Sequence, residues 1–333
     1  MNLPQVSIII LNFNSFSDTE RCLDSLKKIN YPDYEIIVVD NGSLDGSVEK
    51  LRKRKDIILI EADKNYGFAE GSNIGVRKAK GKYVVLLNND TIVDKNWLIE
   101  MIKEIKKDKK IAIIGSNIIN VGKFYSSDAF GLIINLFAEP MHANTNDKSF
   151  TFLVSGCSLL FDKGKTGVPF DKDFFADGED IYLAWLTRLK GYAVKIAVKS
   201  KLDHVGGEVR KKMPKLVEFH CEKNKIMNIF LFYEWKNIIK IFPILCFNIL
   251  VNLIISIFKL RLFTRLKSYF WVIKNFGKIM KKRRIIQNQR ILKDKELFQY
   301  ITYRISPAFH GIEKIINFMI LLYCMIVRLP VRR

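Results

Sequence analysis

Cysteine and histidine are scarce in this 333-residue sequence, which has five of the first and four of the second. The cysteines are odd in number and widely scattered, and no Cys-x-x-Cys pair occurs among them (Cys22, Cys157, Cys221, Cys246, Cys324). This spacing argues against a zinc module and against a small domain held together by disulfides. We therefore expect free, buried thiols in a reducing cytosol.

A signal peptide and the two common glycine-rich nucleotide-binding motifs are also missing from the sequence. The N-terminus has no basic region and no small-residue cleavage site, so it does not read as a signal peptide. No Gly-x-Gly-x-x-Gly motif follows the first apolar run, and no phosphate loop of the Gly-x-x-x-x-Gly-Lys-Ser/Thr type occurs. These absences argue against a dinucleotide dehydrogenase and against a phosphate-loop NTPase.

Acidic residues are rare in the last third of the chain. Residues 1–204 carry 29 Lys and Arg against 27 Asp and Glu, whereas residues 205–333 carry 26 against 7. Nearly all of the net charge of +21 therefore lies in the last third. Such a surplus attracts nucleic acid or anionic lipid. Long apolar runs accompany it here, which favours lipid and leaves nucleic acid as the weaker alternative.

Apolar strand-like runs alternate with helix-like segments in the first half of the chain. The first run, Val6–Phe13, is continuously apolar, as a strand covered on both faces requires. A helix follows it, with Ser17 or Asp18 as the expected N-cap. Four more strand-like runs alternate with helices up to about residue 120 (YEIIVVD, DIILIEA, KYVVLLNND, IAIIGSNII). This order predicts an α/β fold with a mostly parallel, doubly wound sheet.

The second half is less regular. Residues 123–150 read as irregular, and Phe150–Lys163 reads as a strand in a new sheet region. A helix is predicted over residues 178–192, closed by Gly191. Beyond about residue 215 the chain is predicted to be helical, basic and apolar, so we expect a catalytic domain over residues 1–215 and a membrane-associating region over residues 216–333.

Two segments in that region raise the question of a membrane. Ile238–Phe258 is long enough to span a bilayer, but it contains Lys240 and Pro243, and Ile315–Val327 has only 13 residues. Basic residues flank both segments on both sides, so the charge rule gives no topology. Helices lying in the interface, or a re-entrant pair, are as plausible as true spans. The basic run Lys278–Arg284 would then lie at anionic headgroups.

Polar side chains end three of the predicted strands. The first strand ends in Asn12-Phe13-Asn14, the second in Asp40-Asn41, and the fourth in Asn88-Asn89-Asp90. Ligands bind at the carboxyl ends of the strands in open parallel sheets. One such end alone could be a turn, but three at one edge predict a pocket for a polar ligand. The glycines of the segment 65–81 suit close approach of a phosphate-bearing ligand to a helix start.

Several motifs together resemble a known family. The sequence is similar to family-2 glycosyltransferases with the GT-A fold, and to their rhamnosyltransferase-like branch. The motifs occur in the family's order over roughly residues 4–207 (VSIIILNFNSFSDTERCLDSL, EIIVVDNGSLDGS, NYGFAEGSNIGVRKAKGKYVVLLNNDTIV, FFADGEDIYLAWLTRLKGY, DHVGG).

The resemblance implies a nucleotide-sugar donor and a divalent cation, Mg²⁺ or Mn²⁺. Asp40 would accept a hydrogen bond from the pyrimidine base, and Asp90, in the position of the family's Asp-x-Asp motif, would bind the cation that bridges the diphosphate. His204 would be an additional ligand, or else a structural histidine. Asn88 replaces the first acid of the motif, which implies weaker or more substrate-dependent metal binding. The residues implied to line the nucleotide are Asn12, Asn14, Asp40, Asn41, Gly71, Asn73 and Asn89.

The resemblance also implies an inverting transfer with Asp180 as general base. Asp180 would take the proton of an acceptor hydroxyl, and Glu179 would orient the acceptor. Both could instead be ordinary first-turn residues of a helix. Trp185 and the pair Phe174-Phe175 could stack on an acceptor sugar, although core packing is the commoner explanation. His142, His220 and His310 have no matching context and are expected to be structural or surface groups.

The sequence thus predicts a sugar transferase at the cytoplasmic face of the cell membrane. Its acceptor would be a glycan, free or linked to a polyprenyl lipid. A catalytically silent, sugar-nucleotide-binding scaffold of a glycan-assembly complex is the alternative. The retention of both Asp90 and Asp180 argues against the scaffold.

Overall fold

The computed structural model describes residues 3–121, 132–143, 145, 147, 150–204, 213–305 and 313–332. The chain divides into two compact units. The first comprises Met1–Gly131, Thr145–Thr187 and Tyr192–Glu208, and the second comprises Leu132–Asn144, Arg188–Gly191 and Val209–Arg333.

Eleven strands occur in the described residues. They are β1 (Val6–Asn12), β2 (Tyr34–Asp40), β3 (Ile58–Glu61), β4 (Tyr83–Asn88), β5 (Thr91–Val93), β6 (Ile111–Val121), β7 (Leu132–Asn135), β8 (Pro140–His142), β9 (Ser158–Asp162), β10 (Ala193–His204) and β11 (Ile301–Thr302).

Twelve α-helices occur in the same part of the chain. They are α1 (Phe16–Leu26), α2 (Ser47–Leu51), α3 (Gly67–Lys78), α4 (Trp97–Ile105), α5 (Lys163–Thr166), α6 (Glu179–Leu189), α7 (Pro214–Phe232), α8 (Trp235–Phe258), α9 (Leu262–Lys274), α10 (Phe276–Gln287), α11 (Asp294–Leu297) and α12 (Glu313–Ile326).

The first unit is built on an eight-stranded sheet with the order β3-β2-β1-β4-β9-β6-β10-β5. Strands β1 to β4 are parallel to one another, as are β6 and β10, which confirms the mostly parallel sheet. Strand β9 is antiparallel to both of its neighbours, and β5 is antiparallel to β10. The apolar residues of β1, β2 and β4 are buried. Helices α1 and α4 pack against one face of these strands, and α3 packs against the other.

Two local predictions in this unit were wrong. The segment Phe150–Lys163 forms no separate sheet: only its last part is a strand, β9, and this strand pairs between β4 and β6. All five residues of β9 are buried, and a fully buried strand is most stable with partners on both edges. Helix α1 begins at Phe16, so the N-cap position is Ser15 rather than Ser17 or Asp18.

The second unit contains helices α7 to α12 and a three-stranded sheet with the order β11-β7-β8. Strands β7 and β8 lie inside residues 123–150, which the sequence pattern had indicated to be irregular. Among the described residues one helix, α8, is long and apolar enough to cross a membrane by length and composition. The second candidate segment lies mostly in α12, which has 14 residues.

Candidate active site

Three polar strand ends lie side by side in the first unit. Strand β1 pairs with β2 on one side and with β4 on the other, and the register sets Asn12 opposite Asp40 and Leu11 opposite Asn88. Because these strands are parallel, their carboxyl ends meet at one edge of the sheet. Asn12, Asp40 and Asn88 therefore lie side by side along this edge.

Asn12 connects several groups at this edge. Its side-chain amide donates to Asp40 Oδ2 at 2.7 Å and to Ser43 Oγ at 3.1 Å, while its Oδ1 accepts from Thr19 Oγ1 at 2.7 Å. Thr19 in turn accepts from Asn89 Nδ2 at 3.0 Å. Thr19 has no role in the sequence-based prediction, because its position in α1 gives no sign that it bridges β1 and the loop after β4.

Asp40 is almost completely buried, with 1% of its surface exposed. Its second oxygen, Oδ1, accepts from the Ser43 N–H at 2.8 Å. Asn14 has a left-handed backbone with φ +50°, and its Oδ1 accepts from the N–H of Leu44 at 2.7 Å. These bonds hold the ends of β1 and β2 together, so the carboxylate of Asp40 is fixed in place before any ligand arrives.

Asn41 shapes the approach to helix α3. Its side chain donates to Asn65 Oδ1 at 3.0 Å and to the Gly67 carbonyl at 3.2 Å, and it accepts from the Tyr66 N–H at 3.0 Å. A Cβ on Gly71 would lie 2.7 Å from Leu11 Cδ1, so a glycine is needed there for α3 to pack on the sheet. Both residues hold the α3 segment against β1 and β2, and direct nucleotide contact by either stays a prediction.

Asn73 has its amide group engaged with a backbone segment. It donates to the Phe170 carbonyl at 2.9 Å and accepts from the Phe170 N–H at 3.2 Å. The side chain is buried, with 2% of its surface exposed. Asn73 therefore positions the loop that precedes α6. Its contact with nucleotide stays a prediction.

Asp90 and His204 form an ion pair at the end of β10. Nε2 of His204 lies 3.1 Å from Asp90 Oδ1 and 3.5 Å from Asn88 Nδ2. The pairing of β10 with β5 sets His204 opposite Thr91, next to Asp90. Both side chains of the pair are 15% exposed, so solvent can reach them. The remainder of the Asp-His-Val-Gly-Gly motif, residues 205–207, lies outside the described residues.

The protonation of His204 reflects these neighbours. Burial by itself lowers the pKa of the imidazole, but hydrogen bonds with Asp90 and with the Cys157 side chain outweigh it and raise the pKa to about 10. The imidazole is therefore oriented by two groups at once, Asp90 and Cys157.

The donor set of this pair fits a divalent cation. A carboxylate oxygen and an imidazole nitrogen lie 3.1 Å apart, and Mn²⁺ accepts both donor types once it displaces the proton of the imidazole. No cluster of three or more His, Cys, Asp or Glu with ligand geometry occurs in the part of the chain that the structure describes. The remaining ligands would have to come from diphosphate oxygens and water, as is usual for Mg²⁺ at phosphate sites.

Glu179 and Asp180 begin helix α6. Oε2 of Glu179 is buried and has no hydrogen-bond partner among the described residues. Burial and the neighbouring carboxylates of Asp180 and Asp177 raise the pKa of Glu179 well above its usual value. Burial and the carboxylate of Asp177 likewise raise the pKa of Asp180, to about 7. Hydrogen bonds from the N–H groups of Ile181, Asp180 itself and Gly156 lower this pKa but do not cancel the increase.

Contacts in the first unit run from the predicted base to the predicted metal ligands. Gly156 donates its N–H to Asp180, and the next residue, Cys157, contacts His204 through its side chain. The Cys157 carbonyl also accepts from the Asn88 N–H at 2.8 Å. Gly156 and Cys157 precede β9, and because β9 pairs with β4 they lie beside the polar end of that strand. Neither residue has a signal in the sequence that indicates a role at the site.

The segment before α6 has an unusual backbone. Phe175, Asp177 and Gly178 all have positive φ. The Phe175 carbonyl accepts from the Ala69 N–H at 3.0 Å, at the start of α3. Gly67, with φ +75°, lies so close that a Cβ there would be 2.4 Å from the Phe175 oxygen. The start of α3 thus holds the strained segment that presents Asp180.

The aromatic and histidine candidates divide between core and surface. Trp185 and Phe174 are completely buried, so they are core residues rather than a stacking platform, and Phe175 is partly exposed. His220 is buried and His142 is exposed, in line with structural and surface roles. His310 lies outside the described residues.

The comparisons with known proteins identify a family for the first part of the chain. The model of the family described as "Glycosyl transferase family 2" matches residues 7–164, which include most of β1, all of β4 and the polar strand ends. Residues 7–164 form a glycosyl transferase family 2 domain. The motifs in that range from which the resemblance was inferred thus belong to the family; the rhamnosyltransferase-like branch is a separate matter and stays a prediction.

Curated relatives of the family 2 domain include two synthases. The chain is 28% identical over 203 residues to the poly-beta-1,6-N-acetyl-D-glucosamine synthase of Staphylococcus aureus (strain COL), covering 58% of this chain and 48% of the relative. It is 27% identical over 201 residues to the enzyme of the same name from Staphylococcus epidermidis, covering 57% and 47%. The chain thus spans about half the length of these relatives.

Solved structures share the fold at low sequence identity. One is GalNAc-T7 with UDP, GalNAc and Mn²⁺, with a TM-score of 0.57, 16% identity, and coverage of 70% of this chain and 49% of that one. Another is the mannosyltransferase PcManGT from Pyrobaculum calidifontis with GDP-Man and Mn²⁺, with a TM-score of 0.51, 16% identity, and coverage of 86% and 84%. The family 2 domain therefore has the GT-A fold.

Proposed function

We propose that the chain transfers a sugar from a nucleoside-diphosphate sugar to a hydroxyl of a glycan, with inversion at the anomeric carbon. The observation that supports this most is the run of contacts joining Asp180, Gly156, Cys157, His204 and Asp90. It connects a carboxylate suited to proton transfer with a donor pair suited to a diphosphate-bound cation. Such a pairing is what a displacement at the anomeric carbon requires.

In this mechanism Asp180 acts as general base. Its carboxylate takes the proton of the acceptor hydroxyl while that oxygen forms a bond to the anomeric carbon, and the bond between this carbon and the diphosphate oxygen breaks. The nucleoside diphosphate leaves with the bonding electrons. A base with a pKa of about 7 has a useful ionised fraction at neutral pH and still binds a proton readily.

The other polar residues have supporting roles. Asp40 and Asn12 would hold the base and ribose, with Asn14, Asn41, Gly71, Asn73 and Asn89 shaping or lining the nucleotide site. Glu179 would orient the acceptor hydroxyl toward Asp180. Asp90 and His204 would hold Mg²⁺ or Mn²⁺, which when bound offsets the negative charge that develops on the leaving diphosphate.

The donor, the acceptor and the location belong to the same proposal. We propose a pyrimidine donor, a UDP-sugar or dTDP-rhamnose, and an acceptor glycan that is free or carried on a polyprenyl lipid. Residues 1–215 would form the catalytic domain, and the basic, apolar residues 216–333 would attach it to the cytoplasmic face of an anionic membrane. The names of the curated relatives point to an N-acetylglucosamine polymer as one product to test.

The test is a thermal-shift screen of nucleotide-sugars with and without Mn²⁺, followed by hydrolysis assays with those that bind. We expect one donor to raise the melting temperature only with the cation, and to be hydrolysed slowly to nucleoside diphosphate. Binding without any hydrolysis or transfer would instead indicate the silent scaffold. Failure of every nucleotide-sugar to bind would contradict both functions.

A further inference from the structure

The long helix of the second unit, α8, has an apolar outer face. Its exposed large side chains recur at helical spacing along the whole length, and five of them are between 48% and 70% exposed (Ile239, Phe242, Leu250, Ile254, Ile257). A helix on the surface of a soluble protein normally presents polar residues to water. An exposed apolar stripe of this length indicates a surface that contacts something apolar.

The inner face of the same helix is partly polar. Asn252 donates to Asn248 Oδ1 at 2.9 Å, and Ser256 donates to the Asn252 carbonyl at 2.6 Å. Arg265 of α9 donates to that same carbonyl at 2.9 Å. The second half of α8 therefore meets α9 through a polar contact, whereas the first half is buried through Ile238, Ile241, Ile244 and Leu245. The exposed apolar side chains lie outside these contacts.

Charged residues surround Arg265. Its guanidinium lies 3.4 Å from Glu218 and 3.4 Å from Glu222, both on α7. These ion pairs lie directly beside the second half of α8. If α8 crossed a bilayer, this part of α7 and α9 would be carried into hydrocarbon with it, and intramembrane charges are costly even when paired.

The turn between α8 and α9 has the most exposed large apolar side chains among the described residues of the unit. Phe258, Leu260 and Phe263 are 82%, 90% and 83% exposed, and Lys259 and Arg261 alternate with them. Leu260 has a positive φ of +53°, which turns the chain sharply between the helices. Large apolar side chains interleaved with basic ones suit the boundary between acyl chains and headgroups.

Helix α9 continues this pattern. Its exposed residues Phe263, Leu266, Phe270 and Ile273 follow a spacing of three or four, and Lys267 and Lys274 follow Leu266 and Ile273 directly. Its 13 residues would extend about 20 Å, which is less than the roughly 30 Å hydrocarbon core. A helix this short, with lysines beside its apolar stripe, fits the interface and not the bilayer centre.

We propose that the second unit binds an anionic bilayer from one side only. The outer faces of α8 and α9 and the turn Phe258–Phe263 enter the headgroup and upper acyl region, and α8 does not cross the membrane. The surplus of 26 basic over 7 acidic residues in the segment 205–333 selects anionic lipid over a protein surface as the occupant. The inference deepens the membrane location in the proposed function, but it does not depend on the transfer chemistry.

The first test is flotation of the purified full chain with vesicles, in the absence of donor and acceptor. We expect binding to phosphatidylcholine vesicles that contain one third phosphatidylglycerol. As the phosphatidylglycerol fraction is lowered, the affinity should fall by about fivefold for each basic residue that loses its anionic headgroup neighbour. Leu260→Glu should lower the affinity at least about tenfold. Leu44→Glu is the matched control, because Leu44 is 95% exposed but lies in the first unit, and it should bind like the wild type.

The second test distinguishes one-sided binding from a span. The variants Lys236→Cys and Lys259→Cys place one reporter at each end of α8. Cys221 and Cys246 are replaced by serine in both variants, since the other three cysteines are buried. Inside-out membrane vesicles from the expressing cells are then treated with a membrane-impermeant maleimide. We expect both reporters to react without detergent, because Lys259 is one of the basic residues of the turn and lies at headgroup level on the exposed side, where the aqueous reagent reaches it.

Several results would overturn the inference. They are protection of either reporter until detergent is added, equal binding to neutral and anionic vesicles, equal binding of Leu260→Glu and the wild type, and absence of flotation. None of them bears on donor binding or hydrolysis, so a failed membrane test leaves the proposed transferase standing. A protein that floats as expected but binds no nucleotide-sugar would support the membrane inference and contradict the proposed transferase.

Discussion

Nε2 of His204 lies 3.1 Å from Oδ1 of Asp90, although the two residues belong to strand ends far apart in the chain. The contact exists because the last three residues of β10, Leu202–His204, pair with β6 on one edge and with β5, the short strand that follows Asp90, on the other. A carboxylate and an imidazole so placed are a pair of donors for one cation. The pair is also held by Cys157, which contacts the imidazole from the start of β9.

The first prediction concerns this pair. Asp90→Asn should abolish the dependence of nucleoside-diphosphate binding on Mn²⁺, and His204→Ala should raise the Mn²⁺ concentration required by about 10- to 100-fold. Calorimetric titration of the diphosphate over a series of Mn²⁺ concentrations measures both effects. His142→Ala, at an exposed position in the second unit, is the control and should leave the titration unchanged. Binding of the diphosphate by the wild type without any divalent cation would rule out the metal role.

The second prediction concerns Asp180. Asp180→Asn should lower kcat by about 10²- to 10⁴-fold, since the amide cannot take the acceptor proton, while donor affinity changes less than about twofold. Glu179→Gln should instead act mainly on the KM of the acceptor. Steady-state kinetics with separate donor-binding measurements resolve these effects. Near-normal turnover in Asp180→Asn would show that another group is the base.

The same substitution has a consequence for stability. The pKa of Asp180 is raised on folding, so between about pH 4 and pH 7 the folded state binds more protons than the unfolded chain, and stability falls as the pH rises through this window. Asp180→Asn removes that cost, and its melting temperature at pH 8 should exceed that of the wild type by a few degrees. At pH 4 the two proteins should melt at nearly the same temperature.

The third prediction uses the neighbour of the base. Transfer needs ionised Asp180, so the rate should rise with pH through about 7. Asp177 raises the pKa of Asp180, and Asp177→Asn should therefore move this acid limb to lower pH. Asp171→Asn, in the same loop, is the control and should leave the limb in place. The measurement is a profile of kcat/KM against pH. If the acid limb of Asp177→Asn lies at the same pH as that of the wild type, the limb does not report the ionisation of Asp180.

The fourth prediction compares two glycines that both have a positive φ. Gly67 and Gly167 have φ of +75° and +69°, but only at Gly67 would a Cβ meet another group, the Phe175 carbonyl at 2.4 Å. Gly167→Ala should cost about 1–3 kcal/mol in free energy of unfolding from backbone strain alone. Gly67→Ala should cost at least about 2 kcal/mol more and lower kcat, because Phe175 must move and Asp180 follows it. Denaturant unfolding of both variants measures the difference; equal losses would mean that the contact with Phe175 carries no weight.

Local patterns sufficed to predict much of the first unit. The apolar runs of β1, β2 and β4 are long and lack alternation, which is the signature of strands buried on both faces. Asn12, Asp40 and Asn88 follow these runs directly, so their place at one sheet edge required only that the strands be parallel neighbours. Gly191, with φ +83°, ends α6 as its position predicted.

Other features had no local signal. The N-terminal part of the segment 150–163 is apolar, like a strand, yet only Ser158–Asp162 pairs. Strand β5 has three residues, too few for a pattern. Thr19 and Gly156 are ordinary in their sequence context, and their contacts with Asn12 and Asp180 depend on which strands and helices lie beside them.

The order of residues along the chain was enough to determine the parallel αβ pattern, the polar strand ends and the acidic start of α6, because apolar periodicity and glycine placement act over a few neighbouring residues. Only the tertiary structure decided that β9 enters between β4 and β6, that β10 brings His204 to Asp90, and that α8 turns its apolar side outward. These features depend on which distant segments become partners. That choice is made by the burial and hydrogen bonding of the whole unit, and no short stretch of sequence contains it.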